Sequence, residues 1–211
     1  LEHRRQRQMC IRDRVNRLSR SKENVFVHTS SGIKKFDEVI MASHADQSYD
    51  IIKESFTEEA NLLKDFKYQK NTSILHSDIN FMPKRKSVWS SWNYITETGN
   101  LGNISITYWM NELQKIKSNN PILLSLNPKK LPDPNLIYGQ YSYSHPILDN
   151  NAIKIQNSLS AIQGKNKIWF CGAWTGFGFH EDGIKSSIEI YKKFNIHLPW
   201  LDNKEVLFAA Q

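Results

Sequence analysis

"WFCGAWTGFGFHEDG", Trp169–Gly183, places four of the chain's nine glycines in one short stretch. It continues an apolar run that begins at Ile168. It leads into residues 183–194, where Ile184, Ile188 and Tyr191 recur on one face of a helix. Strand, glycine-rich loop and helix N-terminus form a physical recipe. Residues without Cβ let backbone approach a flat or anionic ligand closely. A helix N-terminus offers unpaired N–H groups and a partial positive charge. Here Gly183 and Ile184 would open the helix, and Trp174 and Phe177 could pack on a ligand ring. A tight loop joining strand to helix, with tryptophan as core filler, fits the same residues.

Outward from this stretch, the chain is α/β at both ends. Val25–Thr29 alternates as a strand, "SSG" turns, and Phe36–Ala42 ("FDEVIMA") reads as the second strand of a hairpin. A helix follows from Ser43 or His44, and another from Thr57 with Leu62, Leu63 and Phe66 on one face. Ala152, Ile155, Leu159 and Ile162 fall at helical spacing before Gly164, a natural helix stop. The middle is aromatic and strand-rich. "SVWSSWNYI" and "NISITYWM" flank the turn-rich "TETGNLGN", a short helix is expected over "NELQKIKS", and "YGQYSYSHPIL" is extended.

Composition narrows the function classes. The 211 residues carry a net charge of +7, which invites a nucleic-acid reading. However, residues 1–22 hold eight Lys/Arg and two acids, against 20 and 19 in the rest. The excess belongs to an Arg- and Gln-rich arm, residues 1–14, that reads as artefactual or disordered, and no nucleic-acid partner is expected. No apolar run reaches the ~20 residues of a transmembrane helix, and no secretory h-region is present. Of the two cysteines, Cys10 lies in that arm and Cys171 reads as a small buried apolar residue. The pair suits a reducing, cytoplasmic setting and gives no metal site.

"IWFCGAWT" (Ile168–Thr175), with "GIKSS" (Gly183–Ser187) beyond it, resembles the C-terminal flavin-binding motif of the amine-oxidase-like FAD proteins. It looks closest to a bacterial branch of predicted NAD/FAD-binding oxidoreductases with a "GFHEDG" loop. "FDEVIMASHADQ", "LHSDINFMP", "VWSSWNY" and "ITYWMNELQ" resemble that branch in the same order. The resemblance implies an FAD-binding, Rossmann-like domain of amine-oxidase type over 15–55 and 151–196. That domain would be incomplete at its N-terminus. A mixed-sheet substrate domain would span 56–150, with a tail over 197–211.

The resemblance also implies roles. Val15 would hold the adenine through its backbone, and Ala42 would end the strand beside the cofactor. Gly172, Ala173, Trp174 and Thr175 would wrap the ribityl and pyrophosphate region. Gly183 and Ile184 would offer N–H groups to the N1/O2 edge of the flavin, which carries negative charge when reduced. FAD would take a hydride equivalent from a small apolar or amine substrate, a lipid being one possibility; the oligomeric state is left open. The alternative is a flavin-binding or scaffold protein without turnover.

Three features depart from the pattern. Neither Ala173 nor Trp174 is the acid many relatives carry, and Ser187 replaces a helix glycine. The chain also has no G-x-G-x-x-G, the turn that holds the pyrophosphate in this fold. A chain without that turn is expected to hold FAD poorly and to be inactive alone.

Candidates for chemistry lie near the loop and in the middle. His180 and Glu181 could orient substrate or move a proton; Glu181 and Asp182 could equally complement the helix N-terminus. Trp92 and Tyr94 share one strand face and, with Tyr143, could line an apolar pocket or pack in a core. His76 and Asp78 form a possible acid–base pair, and His145 lies beside Tyr143.

Overall fold

The computed structural model describes residues 13–95 and 105–196. Most of the basic arm, Cys10, the 96–104 connector and the tail from 197 lie outside these residues. The chain divides into two compact units, one of residues 68–145 and one of the segments on either side. The second helix, in the segment expected to belong to the middle, falls within the flanking unit.

In the flanking unit, β1 (Val15–Arg20), β2 (Val25–Thr29) and β3 (Gly32–Phe36) form an antiparallel meander. The hairpin partner of β2 is therefore Gly32–Phe36, not Phe36–Ala42. The chain leaves the hairpin at Asp37, whose carboxylate accepts from the Asn24 side chain at 3.3 Å. It resumes as a separate strand, β4 (Val39–Met41). Helices α1 (Ala45–Ile52) and α2 (Thr57–Leu63) follow. α1 begins where expected, after His44, and buries Ala45, Ser48 and Ile52 at i, i+3 and i+7.

The middle unit is one five-stranded sheet. Its strands are β5 (Tyr68–His76), β6 (Trp92–Ile95), β7 (Ser105–Trp109), β8 (Leu123–Leu126) and β9 (Ile137–Pro146), in the order β6-β7-β8-β5-β9. The helix expected over "NELQKIKS" is a single turn, α3 (Met110–Leu113); Lys115 then takes the left-handed conformation, φ 54°, and ends it.

The chain returns to the first unit through α4 (Asn150–Ser158), capped by Asp149, whose carboxylate accepts the N–H groups of Asn151 and Ala152 at 2.9 Å each. A 3-10 turn, Leu159–Ala161, replaces the last turn of the helix expected to reach Ile162. Ala152, Ile155, Leu159 and Ile162 are all buried, as their spacing requires. Then β10 (Ile168–Phe170) pairs in parallel with β4, and α5 (His180–Lys193) closes the described chain. The core of this unit gathers Leu18, Val25, Ile52, Phe56, Leu63, Ile168 and Phe170, each at most 1% exposed. Burial of such side chains is worth about 1.5–3 kcal/mol apiece.

The outer edge of β10 is closed by a side chain. The Gln163 amide donates to the Phe170 carbonyl at 2.6 Å and accepts the Phe170 N–H at 2.7 Å. It stands where a neighbouring strand's peptide would.

Candidate functional site

The glycine loop is built by three connections. Cys171 continues the strand, donating its N–H to the Met41 carbonyl at 3.0 Å. Gly172 then turns at φ 135°, a conformation side-chain-bearing residues rarely adopt. Its N–H is accepted by the Ser186 hydroxyl at 3.0 Å, and that hydroxyl donates to the Gly183 carbonyl at 2.8 Å. The loop is thus tied to α5 from behind. Residues 173–175 form one 3-10 turn, and the Thr175 hydroxyl donates to the Gly172 carbonyl at 2.8 Å.

α5 begins three residues earlier than its apolar periodicity suggested, and the cause is Asp182. As the third helical residue, it turns its carboxylate back to accept the N–H groups of Phe177 (3.1 Å) and Phe179 (3.0 Å). A Cβ on Gly176 would meet that carboxylate at 2.6 Å, so any other residue there would have to displace the Asp182 cap. The apolar stripe could not reveal this, because the first turn of the helix is polar.

The earlier start moves the exposed helix dipole. The N–H of Gly183 is already bonded to the Phe179 carbonyl at 3.3 Å, and that of Asp182 to the same oxygen at 3.1 Å. Gly183 and Ile184 therefore lie past the first turn, and the leading N–H groups belong to His180 and Glu181. Ala173 and Trp174 likewise open their 3-10 turn. The backbone N–H groups of Ala173, Trp174, His180 and Glu181 carry no hydrogen bond to a described residue. The loop and helix meet at Gly183, where a Cβ would stand 3.7 Å from the Ala173 nitrogen. Glycine keeps that approach uncovered.

The side chains around this backbone are sorted differently from the sequence expectation. Trp174 is 3% exposed, meets Phe66 edge-on at 5.3 Å, and donates its indole N–H to the Ser43 carbonyl at 3.1 Å. It is core, backbone included; Phe177 and Phe179, 76% and 66% exposed, are the exposed aromatic residues of the loop. His180 and Glu181 are exposed on the first turn of α5, with Glu181 3.9 Å from Lys185. Cys171 is buried, and burial pushes its thiol up against the opposing influence of the Ser187 hydroxyl. That is a poor setting for a thiolate nucleophile. Ala42 follows β4, exposed, and helps line a cavity of about 210 Å³ with Ile40, Cys171, Ser187, Ile190 and Tyr191. Val15 lies at the end of β1, opposite Thr29, in a different sheet from the loop.

In the middle unit, strand alternation separates two faces. Asn93, Thr107, Ser125, Ile74 and His76 are buried on one. There a polar chain crosses the strands. Asn93 donates to the Thr107 carbonyl at 3.3 Å, the Thr107 and Ser125 hydroxyls meet at 2.7 Å, and Ser125 meets His76 Nε2 at 2.8 Å. His76 Nδ1 accepts the Asp78 N–H at 3.1 Å. The Asp78 carboxylate does not face the ring: it accepts the N–H groups of Asn80 and Asp133, at 3.0 and 3.1 Å. The two residues, a possible acid–base pair in sequence, are thus both engaged in structural hydrogen bonds. Burial holds the His76 imidazole below its ordinary range, with Asp78 opposing.

The other face carries Trp92 and Tyr94 on β6, Ile106 and Tyr108 on β7, and Leu124 and Leu126 on β8. Tyr143 comes from β9 at the opposite edge. Asn71 of β5, in register with this face, meets His145 Nδ1 at 2.7 Å, so His145 and its alternating neighbours Tyr143 and Tyr141 lie on this side too. The three aromatic residues singled out in sequence thus share one face of the sheet, though not one cluster. Trp92, Tyr94 and Tyr143 are 50%, 61% and 52% exposed. They are not core.

Among the described residues, no group of three His, Cys, Asp or Glu side chains could hold a metal ion. No helix among them is long and apolar enough to cross a membrane.

No protein-family model and no curated protein sequence matches the chain. Its fold does match solved structures. A fatty acid isomerase from P. acnes, described as producing CLA, aligns at a TM-score of 0.60 and 12% identity over 87% of this chain. Cyclohexylamine oxidase from Brevibacterium oxydans IH-35A aligns at 0.53 and 10% over 87%. A protein from Exiguobacterium sp. 255-15 assigned as a protoporphyrinogen oxidase gives 0.54 and 8% over 86%. The chain spans 48%, 49% and 46% of those three chains in turn, about half of each. The shared feature is a mixed α/β fold found in enzymes.

Proposed function

We propose that this chain is part of an FAD-dependent oxidoreductase. Residues 168–193 would hold the ring end of FAD, and the aromatic face of the middle sheet would meet the substrate. The observation that carries this reading is the set of N–H groups at Ala173, Trp174, His180 and Glu181 without a hydrogen bond to a described residue, on the loop and the helix start that approach each other at Gly183. Such donors, aided by the N-terminal end of α5, favour an oxygen-rich edge that gains negative charge. Fold likeness to enzymes named as oxidases supports the same reading.

FAD, when bound, accepts a hydride equivalent from a substrate carbon. The chain's own residues bind and orient. In this reading Gly172, Ala173, Trp174 and Thr175 meet the ribityl side through backbone, and Gly183 and Ile184 flank the ring edge. Ala42 borders the site at the end of β4, and Val15 takes the adenine by backbone pairing. His180 and Glu181, exposed at the helix start, would position substrate or move a proton. Trp92, Tyr94 and Tyr143 would line the substrate side.

The test is anaerobic. FAD bound to the whole protein of which this chain is proposed to be part should lose its visible absorbance when a competent substrate is added. Stable binding with no bleaching across amines and neutral apolar compounds would favour the reading without turnover.

A further inference from the structure

We infer that the middle unit carries a surface that docks on an anionic lipid bilayer: the outward side of residues 79–88, with Lys130 and Leu131 beside its start. This surface is separate from the flavin site proposed above and stands whether or not flavin binds.

The segment between β5 and β6 lies over the sheet face opposite the aromatic one, and three of its side chains turn inward. The Phe81 ring meets His76 edge-on at 4.9 Å, buried Met82 takes a 3.6 Å hydrogen bond from the Asn93 amide, and Trp89 meets Trp109 edge-on at 5.3 Å. The Trp89 indole also donates to the Pro83 carbonyl at 2.7 Å. With these turned in, Lys84, Arg85 and Lys86 are held outward and exposed, between Ile79 and Val88, each 58% exposed. A second segment is tied to the start of the first. The Asp78 carboxylate accepts the Asp133 N–H at 3.1 Å, and the Leu136 carbonyl accepts the Ser77 N–H at 2.9 Å. That segment brings exposed Lys130 and Leu131, the latter 71% exposed.

The charge is one-sided. From residue 79 to 96 the sequence holds no Asp or Glu. The nearest acids are used elsewhere: Asp78 is buried and accepts two backbone N–H groups, and the Asp133 carboxylate accepts the Asn135 N–H at 2.9 Å and its side-chain amide at 3.0 Å. Lys84, Arg85 and Lys130 form no ion pair with a described residue. Each cation near an anionic leaflet is worth about 1 kcal/mol. Ile79, Val88 and Leu131 would leave water for the headgroup boundary, while the long basic side chains reach its phosphates. The apolar members are aliphatic, and the segment's own rings are turned in, so no stacking platform accompanies the charge as it does in single-stranded nucleic-acid grooves. Anionic lipid is the polyanion that uses both halves of this surface.

Co-sedimentation of the whole chain with vesicles tests this. At about 0.1 M salt, vesicles containing phosphatidylglycerol should be bound at least tenfold more tightly than pure phosphatidylcholine. Lys84→Gln/Arg85→Gln/Lys86→Gln should lower that affinity at least tenfold. Arg4→Gln/Arg5→Gln/Arg7→Gln removes the same charge from the basic arm and should lower it less. Val88→Ser/Leu131→Ser leaves the charge unaltered and should still weaken binding several-fold. All these changes fall at exposed positions or in the arm, and thermal melts check that each variant is folded. No preference for the anionic vesicles, a loss in the arm variant as large as in the 84–86 variant, or full affinity in the serine variant overturns the assignment. So does binding of single-stranded RNA, lost with the 84–86 charges, by a chain that ignores the vesicles: the surface would then belong to a nucleic acid.

Discussion

Ser186 and Gly172, fourteen residues apart, are joined by a 3.0 Å hydrogen bond in which the serine hydroxyl accepts the glycine N–H. The same hydroxyl donates to the Gly183 carbonyl. One side chain thus fixes the end of β10 against the second turn of α5, and with it the spacing of the open N–H groups.

Ser186→Ala leaves the part-buried Gly172 N–H unpaired. It should cost about 1–2 kcal/mol in urea-induced unfolding. Flavin affinity should fall as well, because the loop and helix lose their common anchor. Ser186→Thr, which keeps the hydroxyl, should restore most of both. An alanine variant with unaltered stability would show that the bond contributes nothing.

Gly183 gives a cleaner separation of binding from stability. It has ordinary helical geometry, so a side chain there is not strained. Gly183→Val should leave unfolding free energy within about 0.5 kcal/mol, since valine is the better helix former. Its branched side chain would nevertheless stand over the Ala173 nitrogen. Thermal melts of the two proteins should coincide while flavin binding differs.

His76 should make stability pH-dependent. Burial keeps its folded-state pKa below the ordinary 6.5, and the weaker pull of Asp78 does not cancel this. Below about pH 6.5 the unfolded chain takes up a proton that the folded chain resists, so folding stability falls as pH drops. His76→Gln should flatten that part of the profile. Urea titrations at several pH values, run on both proteins, would show parallel profiles if His76 plays no part.

Gln163→Leu removes the amide that closes β10. The Phe170 N–H and carbonyl then lose their partners, at a cost of about 2 kcal/mol. The bared edge should also promote self-association, visible by light scattering during mild heating.

Much of this was legible in sequence, and the gaps have physical causes. The buried positions of α4 followed from their 3.6-residue spacing alone. "FDEVIMA" misled because a continuous apolar run does not state where a turn falls; Asp37 breaks it, and only the partner β10 shows that 39–41 is a parallel strand. The start of α5 was hidden because capping by Asp182 is carried by polar residues. Trp174 read equally as a ligand platform or as core filler because a tryptophan in a glycine loop gives no sign of which way it points. Its indole bond to Ser43, 131 residues away, is a tertiary fact. The same holds for His76, whose partner Ser125 lies two strands' sequence away. Conversely, the alternation of Trp92 and Tyr94 correctly put both on one face, and only the sheet order could add Tyr143 to it.

The most direct test of the central claim uses riboflavin, which carries the flavin ring without a pyrophosphate. The sequence has no G-x-G-x-x-G for phosphates, so the ring end is what residues 168–193 are proposed to hold. Titrated into the protein and followed by quenching of flavin fluorescence, riboflavin should bind saturably, with FAD little tighter. Gly183→Val, equally stable, should weaken both at least tenfold. No saturable quenching, or equal binding by the valine variant, would contradict the account.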